Sequence, residues 1–158
     1  MPWKRSDLSM LILVVLCLAM LVTSAHAQED EPYLKHRQSL MSAIGGHMGA
    51  IGTIAKSDLP FMDAIAVHAK SIEMSAGLIE KAFEKEITEG KTDAKPDIWQ
   101  DRDKFVSAAK AMQEEAGKLA DIDVGDKGAV VAQIKALGDA CGDCHKPFRK
   151  PQEERFKR

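Results

Sequence analysis

The stretch "KGAVVAQIKALGDACGDCHKPFRK", residues 127–150, carries Val130, Ile134, Leu137, Cys141, Cys144 and Phe148 at alternating steps of four and three. That spacing places all six side chains on one stripe of an α-helix. A single helix cannot bury its own stripe, so this one needs partner helices. Three earlier stretches repeat the pattern. Residues 33–55 carry Leu34, Met41, Ile44, Met48 and Ile51; residues 62–84 carry Ile65, Ala69, Ile72, Ala76, Ile79 and Phe83. A third stretch, opening near Asp97, carries Ile98, Phe105, Met112 and Leu119 at seven-residue steps. Alternating runs of β-branched and aromatic residues are missing. "KSDLP" and "DIDVGD" read as short turns, and "EKEITEGKTDAKPD" as a longer polar loop whose Pro96 suits a helix start. The chain is therefore expected to be all-α, an antiparallel up-down-up-down four-helix bundle.

The N-terminus reads differently. Lys4 and Arg5 precede an unbroken apolar run from Met10 to Val22, and Ala25-His26-Ala27 offers a small-x-small cleavage site. This is the pattern of a secretory signal peptide over residues 1–27, and the run is too short to span a hydrocarbon core of about 30 Å. Cys17 lies within that apolar run behind Leu16, not behind the small residue a lipoprotein site wants. Cleavage after Ala27 leaves one domain, 28–158, exported to the periplasm with no stable membrane insertion. Of 22 basic and 24 acidic residues, the segment removes Lys4, Arg5 and Asp7, leaving 20 and 23 and a net charge of −3. That balance offers no basic footprint for nucleic acid.

Two cysteines remain, Cys141 and Cys144, with His145 directly after the second. Cys-x-x-Cys-His is the attachment signature of haem c. Two thiols three residues apart on a helix face one porphyrin edge and form thioethers with its vinyl groups, while the next imidazole reaches the iron. Other uses of the thiols fit less well. A redox dithiol usually opens a helix in a βαβ setting. A disulfide here closes too small a loop to add much stability. Zinc would want further Cys or His ligands at matched spacing. One covalent haem c is the expected cofactor.

An antiparallel bundle sets the start of helix one level with the end of helix four. At 1.5 Å per residue, His145 lies about 8 Å from its helix end and Met41 about 12 Å from its own. Met41 is thus expected to face the iron opposite His145, with Ile79, Phe83, Ile98 and Trp99 walling the same end. Arg37, one turn before Met41 on an apolar stripe, needs a partner, and a haem propionate could take its bidentate fork. Arg149, four residues after His145, could serve similarly on the proximal side. The alternative for each arginine is a solvated charge at a helix end. Pro147 is expected to kink the last turn, and Gly45, Gly49 and Gly52 to let helix one approach a neighbour closely.

With "RQSLMSAIGGHMGAIGTIAK", "KPDIWQDRDKF" and "LGDACGDCHKPFR" in place, the mature chain resembles the cytochrome c-prime family, including its low-spin branch of the cytochrome c-556 type. The resemblance implies a four-helix bundle with one covalent haem on Cys141 and Cys144 and His145 as proximal ligand. It puts Met41 at the distal position, Arg37 and Gln38 near the propionates, and Arg149 at the family's basic position after the motif. It also implies a homodimer paired through helices one and two.

Function then turns on Met41. A thioether bonded to iron makes a periplasmic electron-transfer cytochrome, a carrier and not an enzyme, serving redox partner proteins. A core methionine beside an open iron makes a five-coordinate protein that binds nitric oxide or carbon monoxide. His36, His47 and His68 become sixth ligands only if the helices rotate, since His47 shares a face with Leu40 and Ile54 and not with Met41. The net charge, deepened by two propionates, favours a basic docking patch on the partner.

Overall fold

The computed structural model describes residues 5–156, with side chains from Gln28 to Phe156, so the leader expected over 1–27 lies outside the described side chains. Helix α1 spans Arg5–Lys56 and contains the stretch expected at 33–55. Helix α2 covers Ala64–Ala76, α3 Ile79–Ala82, α4 Asp97–Gln100, α5 Arg102–Ala120 and α6 Lys127–Phe148, followed by a 3-10 turn at Gln152–Glu154. Among the described residues no helix is long and apolar enough to cross a membrane.

The four main helices, α1, α2, α5 and α6, form the bundle, and each packs most against its sequence neighbour. Their stripes meet as read from the sequence. Ile51, Ile65, Ile72, Ile98, Leu119, Val130 and Leu137 are the largest fully buried side chains, each contributing about 1.5–3 kcal/mol of burial free energy. The α2–α5 seam is tight: a Cβ on Gly77 would lie 3.2 Å from Gln113 Nε2, and one on Gly117 3.3 Å from Glu73 Cδ. Helix α6 starts on a side-chain cap, Ala129 N donating to Asp126 Oδ1 at 2.9 Å.

The sequence reading missed two breaks. Instead of one helix over 62–84, α2 stops at Ala76, with Gly77 as C-cap, and one further turn follows as α3. Likewise the helix opening at Asp97 is interrupted at Asp101, whose φ of −124° and ψ of 59° leave the helical region. Pro147 sits inside the last turn of α6 without ending it: Phe148 remains helical, and Arg149 N still donates to His145 O at 3.0 Å. The helix ends two residues after the proline, where Arg149 turns extended as the C-cap.

The polar loop is also more ordered than its composition suggests. Gly90 takes φ +79°, which only glycine adopts readily. The segment then pairs with the end of α6: Lys95 N donates to Phe148 O at 3.0 Å and Lys150 N to Asp93 O at 2.8 Å. Ile87, Thr92 and Ala94 become buried.

Helices α1 and α6 touch least of the sequence-adjacent or chain-closing pairs. The expectation that Gly45, Gly49 and Gly52 admit a close neighbour is not met: a Cβ on any of them meets nothing within 4 Å. They line an open groove instead, beside Met48, Ile134 and Cys141.

Truncating Ile72→Ala is expected to lower unfolding free energy by about 2–5 kcal/mol in urea titrations of the haem-loaded protein. Val67→Ala, on the exposed side of the same helix, is expected to change it by less than about 0.5 kcal/mol.

Candidate functional site

Helix α6 presents Cys141, Cys144 and His145 to a cavity at the end of the bundle that also holds residues 34–41 of α1. Leu34, Arg37, Gln38 and Met41 line it from α1, and Ile79, Phe83 and Ile98 from the interrupted helices. The level matching argued from helix rise thus brings Met41 to the same cavity as His145. The groove along α1 shares Met41, Met112, Cys141 and His145 with this cavity, so the two hollows adjoin along the sparse α1–α6 seam.

The walls are apolar and aromatic. Phe105 stacks between Phe83, at 5.4 Å, and Phe148, edge-on at 5.3 Å. Sequence reading had named part of this wall but not Phe105, Met112, Thr92, Asp93, Ala94 and Phe156 as lining. Phe105 and Met112 were legible only as core positions. The loop residues arrive through backbone pairing to α6, for which polar composition carries no signal.

Cys141 and Cys144 are both free thiols. Burial pushes both thiols up, and for Cys144 the neighbouring Cys141 adds to the effect, taking it to about 11. Reactive dithiols need the opposite, a depressed value that populates the thiolate. The environment therefore disfavours disulfide exchange. His145 is pulled below its ordinary value by burial, then by the positive charges of Arg149 and Arg155. Its imidazole is neutral at pH 7, with a lone pair available to a metal.

Arg37 is the buried cation of the site, 3% exposed. Nε donates to Ala82 O at 2.7 Å, and Nη2 donates to Lys85 O. The guanidinium also lies 4.9 Å from the Phe83 ring centroid and 5.5 Å from that of Trp99. Desolvation lowers its pKa, Asp30 opposes this, and Arg102 adds to the lowering. Nη1 is buried without a hydrogen-bond partner. An unpaired buried donor on a cation is costly, and a carboxylate in the cavity would satisfy it. So two of the three nitrogens cap the frayed end of α3, and one remains for a ligand. The two-nitrogen fork expected from sequence is already partly spent.

Gln38 lines the cavity while its Nε2 donates to Lys91 O at 2.7 Å. Arg149 also lines it, held by Asp93 at 3.2 Å. Trp99 stands behind the wall, its Nε1 donating to Phe83 O at 2.9 Å. His36, His47 and His68 line neither hollow, so the rotated register that a second histidine ligand requires is not found.

These residues fit a haem. Two thiols, a neutral imidazole and a thioether line one apolar cavity, together with an arginine that has one unpartnered nitrogen.

Comparison with known proteins agrees. The family model described as Cytochrome C' matches residues 33–149. A cytochrome c' of Rhodospirillum rubrum is 40% identical over 143 residues, covering 87% of this chain and 97% of the relative. A cytochrome c-556 of Agrobacterium tumefaciens is 34% identical over 119 residues, covering 73% and 95%. Among solved structures, the nitric oxide complex of a mutant cytochrome c prime from Alcaligenes xylosoxidans matches with TM-score 0.68 at 30% identity, covering 77% of this chain and 96% of that one.

Replacing Arg37→Met leaves Ala82 O and Lys85 O without their charged donor. The haem-loaded variant is expected to lose about 2–4 kcal/mol in urea unfolding, with little rescue by Arg37→Lys, whose single ammonium cannot span both carbonyls. A change under about 0.5 kcal/mol would show that the guanidinium does not hold this end of the bundle together.

Proposed function

The chain belongs to the cytochrome c' family, and on that premise we propose that it is a periplasmic electron carrier whose haem iron is held between His145 and Met41. Family members are non-enzymatic haem proteins of the periplasm that carry one covalent haem c. When bound, the haem supplies a one-electron couple at its iron. Cys141 and Cys144 would anchor it through thioethers, and Arg37 Nη1, with Gln38 and Arg149 at the rim, would meet its propionates.

The observation that carries the reading is Met41, a methionine on α1 lining the cavity that His145 lines from α6. A thioether is flexible and polarisable enough to reach a metal across such a seam. A methionine sulfur on the iron would raise the reduction potential, and with Met41 and His145 both held by the fold the oxidation state would change with little rearrangement. Met112 also borders the cavity, but it is a buried member of the core on α5, whereas Met41 is only partly buried. Apolar walls exclude water and so favour the less charged state of the site. The neutral imidazole of His145 needs no deprotonation to bind.

One observation favours the other branch. The glycine-lined groove leaves open space beside Met41, a path by which a small gas could reach iron if the thioether stays away. The similar Rhodospirillum protein is named a cytochrome c', and the Alcaligenes structure is a nitric oxide complex.

The leader would be removed after Ala27. Val67, Met74 and Leu78, exposed along one side of the α2 region, support a homodimer through the first two helices. A redox partner with a basic docking patch suits the negative net charge.

Substituting Met41→Ala tests the ligation. The ferrous variant is expected to turn high-spin and bind carbon monoxide readily, whereas wild type binds it slowly. Met112→Leu is expected to leave the spectrum unchanged. A Met41→Ala protein that stays low-spin would remove Met41 from the iron.

A further inference from the structure

Away from the haem cavity, α1 and α2 bring two imidazoles together. Nδ1 of His47 and Nδ1 of His68 are 3.0 Å apart. The ring centroids are 5.2 Å apart, and the rings are tilted by 48°. Both residues are half-buried. Two neutral rings at this distance can share one proton, the donor set by tautomer. With both protons on the Nε2 atoms, the two Nδ1 lone pairs lie within one metal ion's reach of each other.

A metal–imidazole bond is about 2.0–2.1 Å long. With Nδ1 atoms 3.0 Å apart, an ion bonded to both at such lengths subtends an angle of about 94°. That is the angle between neighbouring positions of a tetragonal or octahedral ion, and smaller than the tetrahedral angle of structural zinc. We propose that His47 and His68 form an exchangeable binding site for a divalent transition metal, with copper(II) held most tightly.

The donor set supports copper. Imidazole suits copper, nickel and zinc, and affinity for a given nitrogen site peaks at copper(II). Among the described residues no cluster of three His, Cys, Asp or Glu side chains exists. The pair therefore cannot close a four-ligand structural zinc site, and water fills the remaining positions. Each neutral ring already carries one proton. Binding both Nδ1 atoms moves the shared proton to an Nε2, so no proton need be lost. His47 lies six positions from Met41, about 240° around α1, so the two side chains leave the helix on different faces. Loading the pair leaves haem ligation undisturbed.

The test titrates copper(II) sulfate into the haem-loaded, tag-free protein in a non-coordinating buffer, followed by calorimetry and electron paramagnetic resonance. One equivalent is expected, with hyperfine structure from two nitrogens and no change in haem absorption. His47→Gln and His68→Gln should each lose that equivalent, while His36→Gln keeps it. Each variant must match wild-type helical circular dichroism and haem absorption; His47→Asn or His68→Asn replaces one that does not. Copper binding that survives loss of either ring overturns the proposal, as does a folded wild-type protein that takes up no copper.

Discussion

A bundle whose first and last helices barely touch must fill the space between them with something else. Here α1 turns Met41 and a row of glycines toward the seam, and α6 turns Cys141, Cys144 and His145 toward it. Neither helix offers enough bulk to close the gap. Every neighbouring element is arranged around that gap. Helices α2 and α5 pack tightly against each other, so the bundle keeps its shape without the missing contact. The segment 91–95 pairs with the end of α6 and forms one edge of the cavity.

Arg37 ties this arrangement to the break in the second helix. A helix that stops at Ala76 and resumes for one turn leaves carbonyls without partners. The buried guanidinium donates to Ala82 O, at the end of that turn, and to Lys85 O just beyond it, while its Nη1 stays buried without a partner. The cation is tolerable there because three aromatic or charged neighbours, Phe83, Trp99 and Asp30, surround it. The capping is structural, and the proposed propionate contact would fall to the same side chain.

Much of this was legible in the sequence because the signals are local. Steps of three and four gave the helices, and the five residues from Cys141 to His145 gave the cofactor chemistry. Helix rise alone put Met41 level with His145. What was not legible depended on tertiary contacts. Gly77 reads as an ordinary helical glycine until Gln113 is seen against it. "GKTDAKP" reads as a solvated loop until Lys95 is seen bonded to Phe148. The need of Arg37 for a partner was clear from its apolar stripe, but carbonyls satisfy the same need as carboxylates. Gly45, Gly49 and Gly52 show the limit most plainly: a small residue can admit a neighbour or leave a space, and sequence does not distinguish the two.

Whether the sulfur of Met41 meets the iron decides between a carrier and a gas binder. X-ray absorption at the iron edge of the ferric and ferrous protein measures this directly. The account predicts one sulfur alongside the nitrogen ligands in both oxidation states. An iron surrounded by nitrogen alone would contradict it.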